Sequence, residues 1–203
     1  MADTYRTIDS PSNGLFKDRG SKFISFAIPA TNEQEVKEHL ERIKKEFFDA
    51  RHHCYAYRLG PDKKTFRAFD DGEPGNSAGK PILGQITAKD LTNILVVVVR
   101  YFGGTLLGVG GLVQAYKNAS ADAIANATVI EKEIQDFISI TFDYPLQSKI
   151  NHILKVLNIK ISGSVFENNC TIEFYCRKGI TEIVVNKLSE LQAIQININD
   201  SEI

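Results

Sequence analysis

The chain has 203 residues, 43% of them apolar and 24% charged, the composition of a globular protein and not of a disordered segment or a fibre. Lys and Arg number 24 against 25 Asp and Glu, a formal charge of -1, which excludes the whole-chain positive field of a strong, non-specific nucleic-acid binder. The longest apolar run, Ile94 to Val99, is far too short to span a membrane.

Ser21 to Pro29 reads as a strand, with Ile24, Phe26 and Ile28 alternating onto one face. Thr31 is expected to open a helix, with Gln34 completing a capping box. Val36, Leu40, Ile43 and Phe47 form its apolar stripe. His53 to Leu59 is a second strand, ended by the turn signal Gly60-Pro61. From Asp70 the run DDGEPGNSAGKP is too rich in Gly and Pro to be regular until about Ser77. Asn93 to Val99 is a β-branched run expected to be buried on both faces. Gly110 to Thr128 has a helical, alanine-rich pattern that implies close packing. Nine of the fourteen glycines fall between Gly72 and Gly111, so unusual backbone geometry is expected there.

After Glu133 the chain changes character, and the order reads strand, helix, strand, strand, helix, strand. Residues 137–143 alternate, and Pro145 suits the first turn of a helix striped by Ile150, Ile153, Leu154 and Leu157. Ile159 to Phe166 and Cys170 to Cys176 are two strands joined by a Glu167-Asn168-Asn169 turn. Ile180, Ile183, Val184 and Leu188 line a second helix, and Ala193 to Asn199 is the last strand. That βαββαβ order is the signature of a ferredoxin-like domain. The expected class is α+β with two domains, residues 1–133 and 134–203. Residues 1–134 carry 18 basic and 17 acidic side chains and residues 135–203 carry 6 and 8, so neither part is a basic tail. MADTYRTIDS at the N-terminus shows no export signal. Three cysteines fit a reduced interior better than a disulfide framework, and the expected compartment is the cytoplasm.

Three constellations carry candidate chemistry. Asp70, Asp71, Glu73, Ser77 and Lys80 lie on the Gly- and Pro-rich loop. Their carboxylates could bind a divalent cation, pair with Arg100, form an acidic contact surface, or cap the following helix. The second is Arg100-Tyr101-Phe102-Gly103-Gly104, followed by Gly108-Val109-Gly110-Gly111. Strand, glycine turn and helix N-terminus together can make an anion site. Neither a dinucleotide fingerprint nor a P-loop matches, because the required third Gly and the required Lys are absent. The same glycines would serve tight packing of helix on sheet. The third is Arg51-His52-His53-Cys54, where His52 and Cys54 share a strand face. With no third residue to orient the pair, a buried structural Cys is the simpler reading. A zinc site would need more ligands than this segment supplies, and no metal or cofactor is expected. Cys170 and Cys176, on one strand, stand roughly 20 Å apart, beyond disulfide reach. The loop and the RYFGG turn both flank the one helix between them and are expected to form a single surface.

HHCYAYR (His52 to Arg58), DDGEPGNSAG (Asp70 to Gly79), GKPILGQI (Gly79 to Ile86) and NILVVVVRYFGGTLLGVGGLVQAY (Asn93 to Tyr116) together resemble, in order, the segments of the YigZ/IMPACT family. The resemblance implies a first domain with the fold of a small-subunit ribosomal protein's second domain and of elongation factor G domain IV. It implies a second domain similar to domain V of that factor. It also implies a role in translation, because the eukaryotic member regulates translation under amino-acid starvation by competing for a ribosome-associated activator of a stress kinase. The first family strand here begins at Ser21, so the extra N-terminal partner-binding domain of eukaryotic members is not expected.

Two functions follow. The first is a regulator of translation that binds ribosome, RNA or a translation-associated protein through the glycine-rich surface. Arg51, Lys80, Arg100 and Lys117 would meet phosphates while Tyr101 or Phe102 stacks on a base; His52, Gly103 and Gly104 complete that surface. The second is a small-ligand or nucleotide-binding enzyme built on Asp70, Asp71, Glu73 and the Gly103 to Gly111 turn. The superfamily sharing the first domain's fold includes small-molecule kinases, but Gly108 to Leu112 has no Ser pair of the kinase phosphate loop. No catalytic residue is assigned.

Overall fold

A computed structural model describes residues 3–166 and 169–200. Of the expected Glu167-Asn168-Asn169 turn, Glu167 and Asn168 lie outside the described residues. The chain divides into two compact units. One is Tyr5–Lys132; the other is the chain from Glu133 onward together with the N-terminal residues through Thr4. Both are mixtures of helices and antiparallel strands, an α+β protein. No helix among the described residues is long and apolar enough to cross a membrane.

The larger unit runs β1 (Thr4–Ile8), β2 (Ser12–Asp18), β3 (Ser21–Pro29), α1 (Glu33–Glu46), β4 (His52–Leu59), β5 (Thr65–Phe69), α2 (Gly79–Ala88), β6 (Ile94–Tyr101), α3 (Gly108–Ala125) and β7 (Val129–Glu133). β1 pairs with β7, and the rest form a five-stranded sheet in the order β2-β3-β6-β4-β5, antiparallel throughout. β6 lies at its centre, and Ile94 to Val99 are fully buried as the unbroken apolar run requires. Period-two alternation splits that run between two cores. Ile94, Val96 and Val98 join Cys54, Ala56 and Phe23 under α2 and α3. Leu95, Val97 and Val99 join Tyr55, Tyr57 and Leu59 under α1.

The helices differ from their sequence reading at the ends. α1 is capped by Asn32, whose Oδ1 accepts the Glu35 amide at 2.9 Å. Glu35 reaches back to accept the Thr31 amide at 2.8 Å. The reciprocal box is therefore Asn32 with Glu35, not Thr31 with Gln34, because the Asn amide oxygen is a better helix opener at that register. α3 starts two residues earlier than expected and ends at Ala125. Its stripe of Ala115, Tyr116, Ala119 and Ala123 is buried, and the small side chains bring it close to β2 and β3. β1, β2, β5 and β7 were not expected. β5 is exposed along its whole length, so no buried face marks it in the sequence.

The smaller unit runs β8 (Gln135–Phe142), α4 (Gln147–Val156), β9 (Ile161–Phe166), β10 (Cys170–Arg177), α5 (Thr181–Ser189) and β11 (Ile194–Asp200). Its sheet order is β11-β8-β10-β9, antiparallel at every pair. Tyr144–Leu146 forms a 3-10 turn before α4, which places Pro145 ahead of the α-helix proper. Ile138, Ile140 and Phe142 pack with Ile172 and Phe174 against Ile150, Leu154, Val184 and Leu188. Ile183, expected on the buried stripe of α5, is half exposed; Val184 and Leu188 supply the contact instead. Cys170 and Cys176 are free thiols buried in this core.

Replacing Asn32 with Ala removes the α1 cap and is expected to lower stability by about 1 kcal/mol. A denaturant midpoint shifted without a change of slope would register it.

Candidate functional site

The ends of β4, β5 and β6 deliver one cluster. His52 pairs in register with Arg100 across β4 and β6, and both sit on the face that carries Cys54, Val98 and Phe23. The loop from Asp70 to Ala78 crosses this end of the sheet, and α3 lies over it. At the centre is Glu73. Its Oε1 accepts from Arg100 Nη1 at 2.6 Å and from Tyr116 Oη at 2.8 Å, and His52 Nε2 stands 4.0 Å away. The Glu73 and Arg100 side chains are only 4% and 8% exposed. The Arg100 guanidinium lies 5.5 Å from the Phe23 ring centroid and 5.8 Å from that of Phe102, within cation–π range. Phe23 in turn meets Tyr116 edge to face at 5.2 Å. The Cys54 thiol is 3.0 Å from the Asp70 carbonyl and 3.3 Å from Tyr116 Oη.

The other two acids are spent on backbone. Asp70 Oδ1 accepts the amides of Ala78 and Gly79 at 3.0 and 2.8 Å, and Oδ2 accepts that of Asn76 at 2.9 Å. It therefore caps α2 in place of the N-cap residue, Ala78, which has no side chain to do so. Gly79 is required at this junction because a Cβ there would stand 2.4 Å from the Phe69 amide nitrogen. Asp71 Oδ2 accepts the His53 amide at 2.7 Å, and the Asp71 carbonyl meets His52 Nδ1 at 2.8 Å. The three carboxylates thus turn to three different partners, and no group of three metal-ligating side chains occurs among the described residues.

Burial raises the Cys54 thiol and the Tyr116 phenol far above their usual ranges. Cys54 is an inert structural thiol, not a nucleophile. Burial also lowers the His53 imidazole, which opposes the effect of Asp71 at 3.9 Å.

The glycine turn is built by close approach. A Cβ on Gly103 would stand 1.9 Å from the Gly20 carbonyl carbon, so the turn after β6 lies directly on the β2–β3 turn. The Gly103 amide also donates to Ser21 Oγ at 3.2 Å. Beyond it, α3 begins with no side-chain cap and no acid in its first turn. Gly104, Gly108 and Gly110 face open space. Phe102, Leu106 and Val109 are 55%, 81% and 57% exposed.

The expected surface therefore divides. Asp71, Glu73, His52 and Arg100 come together, which joins the acidic loop to the RYFGG strand end. Arg100, expected to meet phosphates, is buried and committed to Glu73. Ser77 is buried as well, with no partner for its hydroxyl among the described residues. Tyr101, expected to stack, donates its hydroxyl to Asp49 at 2.7 Å. Arg51, Lys80, Lys117, Phe102 and Gly104 remain exposed, and among the described residues the three cations make no ion pair. Phe23 and Tyr116 were missed. The signal for Tyr116 was its place on the buried stripe of an alanine-rich helix, since a buried phenol needs a partner for its hydroxyl.

Glu73→Gln strands the Arg100 cation in the interior and is expected to cost about 3–5 kcal/mol. Combining it with Arg100→Met should cost less than the sum of the single changes in a denaturant-unfolding double-mutant cycle. His53 adds a pH dependence. Its folded imidazole takes a proton less readily than the unfolded chain, so its contribution is whole above the usual histidine value of 6.5. It declines as pH falls below that value, until the folded imidazole protonates too. His53→Gln should flatten that part of the stability–pH curve relative to the parent protein.

The residues that make this cluster lie within residues 19–124, which match the Impact N-terminal domain. Along its whole length the chain is 29% identical to the IMPACT family member YvyE of Bacillus subtilis (strain 168), over 203 residues and 94% of that protein. It is 36% identical to the IMPACT family member YigZ of Escherichia coli (strain K12) over 149 residues, 72% of this chain and 73% of that one. A crystal structure described as that of a hypothetical protein is similar with a TM-score of 0.74 at 28% identity, covering 97% of both chains. With the Gly79 to Ile86 and Asn93 to Tyr116 segments placed around one buried cluster, and a domain match over more than half its length, the chain belongs to the IMPACT family.

Proposed function

We propose that this protein is a regulator of translation that binds the ribosome, RNA or a translation-associated protein through the glycine-rich surface of its N-terminal domain, residues 1–133. The observation that carries the reading is the contrast around the RYFGG turn. Beneath it, Glu73, Arg100 and Tyr116 form a buried lock. Above it stand an uncapped helix N-terminus, open glycine backbone and exposed Phe102, Leu106 and Val109. A rigid base under an apolar and backbone-rich surface suits recognition. Free backbone amides favour an anionic partner group, and exposed Arg51, Lys80 and Lys117 add local positive charge.

The finer domain assignments belong to the same proposal. Residues 1–133 take the fold of elongation factor G domain IV and of the ribosomal-protein domain that shares it. Residues 134–203 are a ferredoxin-like domain similar to domain V. The strand order β11-β8-β10-β9 supports the second assignment, because it is the order a split βαβ unit requires. Family membership and fold support this role, and a protein with that role would act in the cytoplasm. The small-ligand enzyme gains no support, since Asp70, Asp71 and Glu73 are each engaged by backbone or by Arg100.

Co-sedimentation with ribosomes across a salt series tests the reading. Association at low salt that weakens as salt rises is the expected result. Arg51→Ala, Lys80→Ala and Lys117→Ala should each reduce the salt slope by about 1 where that cation contacts a phosphate. Phe102→Ala should weaken binding without changing the slope. Absence of association even at low salt would remove the proposal.

A further inference from the structure

The four-stranded sheet of the smaller unit buries one face against α4 and α5. The residues of its other face are read from the register. β8 contributes Phe137, Ser139 and Thr141, opposite Tyr175, Glu173 and Thr171 of β10. β11 adds Asn199, Asn197 and Gln195 beside the same three β8 residues. Phe137 and Tyr175 therefore sit side by side on the two central strands, with ring centroids 5.3 Å apart. Tyr175 is 50% exposed, and Gln195, Asn197 and Asn199 are exposed as well.

Glu173 follows Tyr175 at the next position on this face. It opposes Gly163 of β9, and a Cβ on Gly163 would stand 3.0 Å from Glu173 Oε2. The glycine thus leaves room for the carboxylate to lie over the outer strand, one position along this face of β10 from Tyr175. Among the described residues that carboxylate has no hydrogen-bond or ion-pair partner. The cation on the same face, Arg177, is already held by Asp3 at 2.7 Å and Glu133 at 3.3 Å. Charge around the aromatic pair is consequently negative.

We propose that this face of the sheet, centred on Phe137, Tyr175 and Glu173, docks an arginine-bearing basic segment of a partner protein. A guanidinium laid on an aromatic face is attracted by the ring quadrupole and at the same time can pair bidentately with a carboxylate. Asn197, Asn199, Gln195 and Ser139 supply donors and acceptors for the backbone of an extended segment. Aromatic residues on the central strands of such a sheet stack bases in RNA-binding domains, but those domains add positive charge for the phosphates. Here the unpaired carboxylate repels phosphate, and charge complementarity selects a cationic peptide.

The full-length chain is titrated into a fluorescein-labelled decapeptide of alternating Arg and Gly, a matching Glu and Gly decapeptide, and a labelled single-stranded RNA decamer, all read by anisotropy. The arginine peptide should bind at least roughly tenfold more tightly than either of the others. Amide NMR shifts on its addition should fall on β8, β10 and β11. Glu173→Gln and Tyr175→Ala, both at exposed or half-exposed positions, should each weaken it by roughly three- to thirtyfold with far-UV circular dichroism unchanged. Unchanged affinity in both variants, shifts confined to the larger unit, or RNA binding that tightens on Glu173→Gln would overturn the proposal. The ribosome test above reads residues of the other unit, so either proposal can fail alone.

Discussion

A single buried ion pair, Arg100 with Glu73, ties the C-terminal end of the central strand, the acidic loop and the longest helix of the described residues to one another. A pair this deep is a poor source of net stability, because removing both charges from water costs nearly as much as their attraction returns. What it supplies is position. Once Arg100 is inside, a carboxylate has to meet it, and Glu73 can do so only if the Asp70 to Ala78 loop folds back over the sheet. Tyr116 then finds its acceptor on the same oxygen, and this fixes α3 against the loop. Phe23 and Phe102 close the remaining sides of the guanidinium with their rings, although its Nε keeps no partner among the described residues.

The reason Arg100 is inside at all lies in β6. β6, hydrogen-bonded to β3 and β4 and covered by α1 on one face and by α2 and α3 on the other, has no solvent face along its middle, and the alternation that sends Ile94, Val96 and Val98 under α2 and α3 sends Arg100 there too. The same count on β4 places His52 and Cys54 on that face and His53 on the other, where its ring nitrogen Nε2 meets the Phe47 carbonyl at 3.1 Å. The cluster is thus a product of strand register before it is a product of loop sequence. The loop answers a charge that the sheet has already placed.

Much of this was legible in the residues. The unbroken run of β6, the stripe of α3 and the alternation of β3 and β8 each state a period strongly enough to locate an element. Where no face is buried, that signal vanishes. β5 is exposed at all five positions and β2 alternates only between half-buried and exposed, so neither stood out. The start of α1 turned on whether Thr31 or Asn32 supplied the cap, a choice made by one residue of register. The loop acids were recognisable as a group, but their separate partners were not. Which of three carboxylates meets Arg100 depends on chain reversal at Asp71 and Asn76, both in left-handed backbone with φ of 43° and 63°, and no spacing rule encodes that.

A near-zero net charge takes on a different meaning once it is distributed. Around the RYFGG turn of the larger unit, the three loop acids are engaged, Glu73 by Arg100, Asp70 by the start of α2 and Asp71 by the His53 amide, while Arg51, Lys80 and Lys117 stay exposed. In the smaller unit Arg177 is neutralised and Glu173 is left without a partner. The two proposed surfaces therefore carry local charge of opposite sign although the charge of the whole chain almost cancels. At physiological ionic strength such fields fade over about 8 Å, so a chain of this kind gains little long-range attraction for any polyelectrolyte. On the two proposed surfaces, selection would fall instead to groups in contact: backbone amides and exposed apolar side chains at the start of α3, and the aromatic pair and Glu173 on the sheet. A balanced total charge would let the two proposed surfaces, of opposite preference, act without one overriding the other.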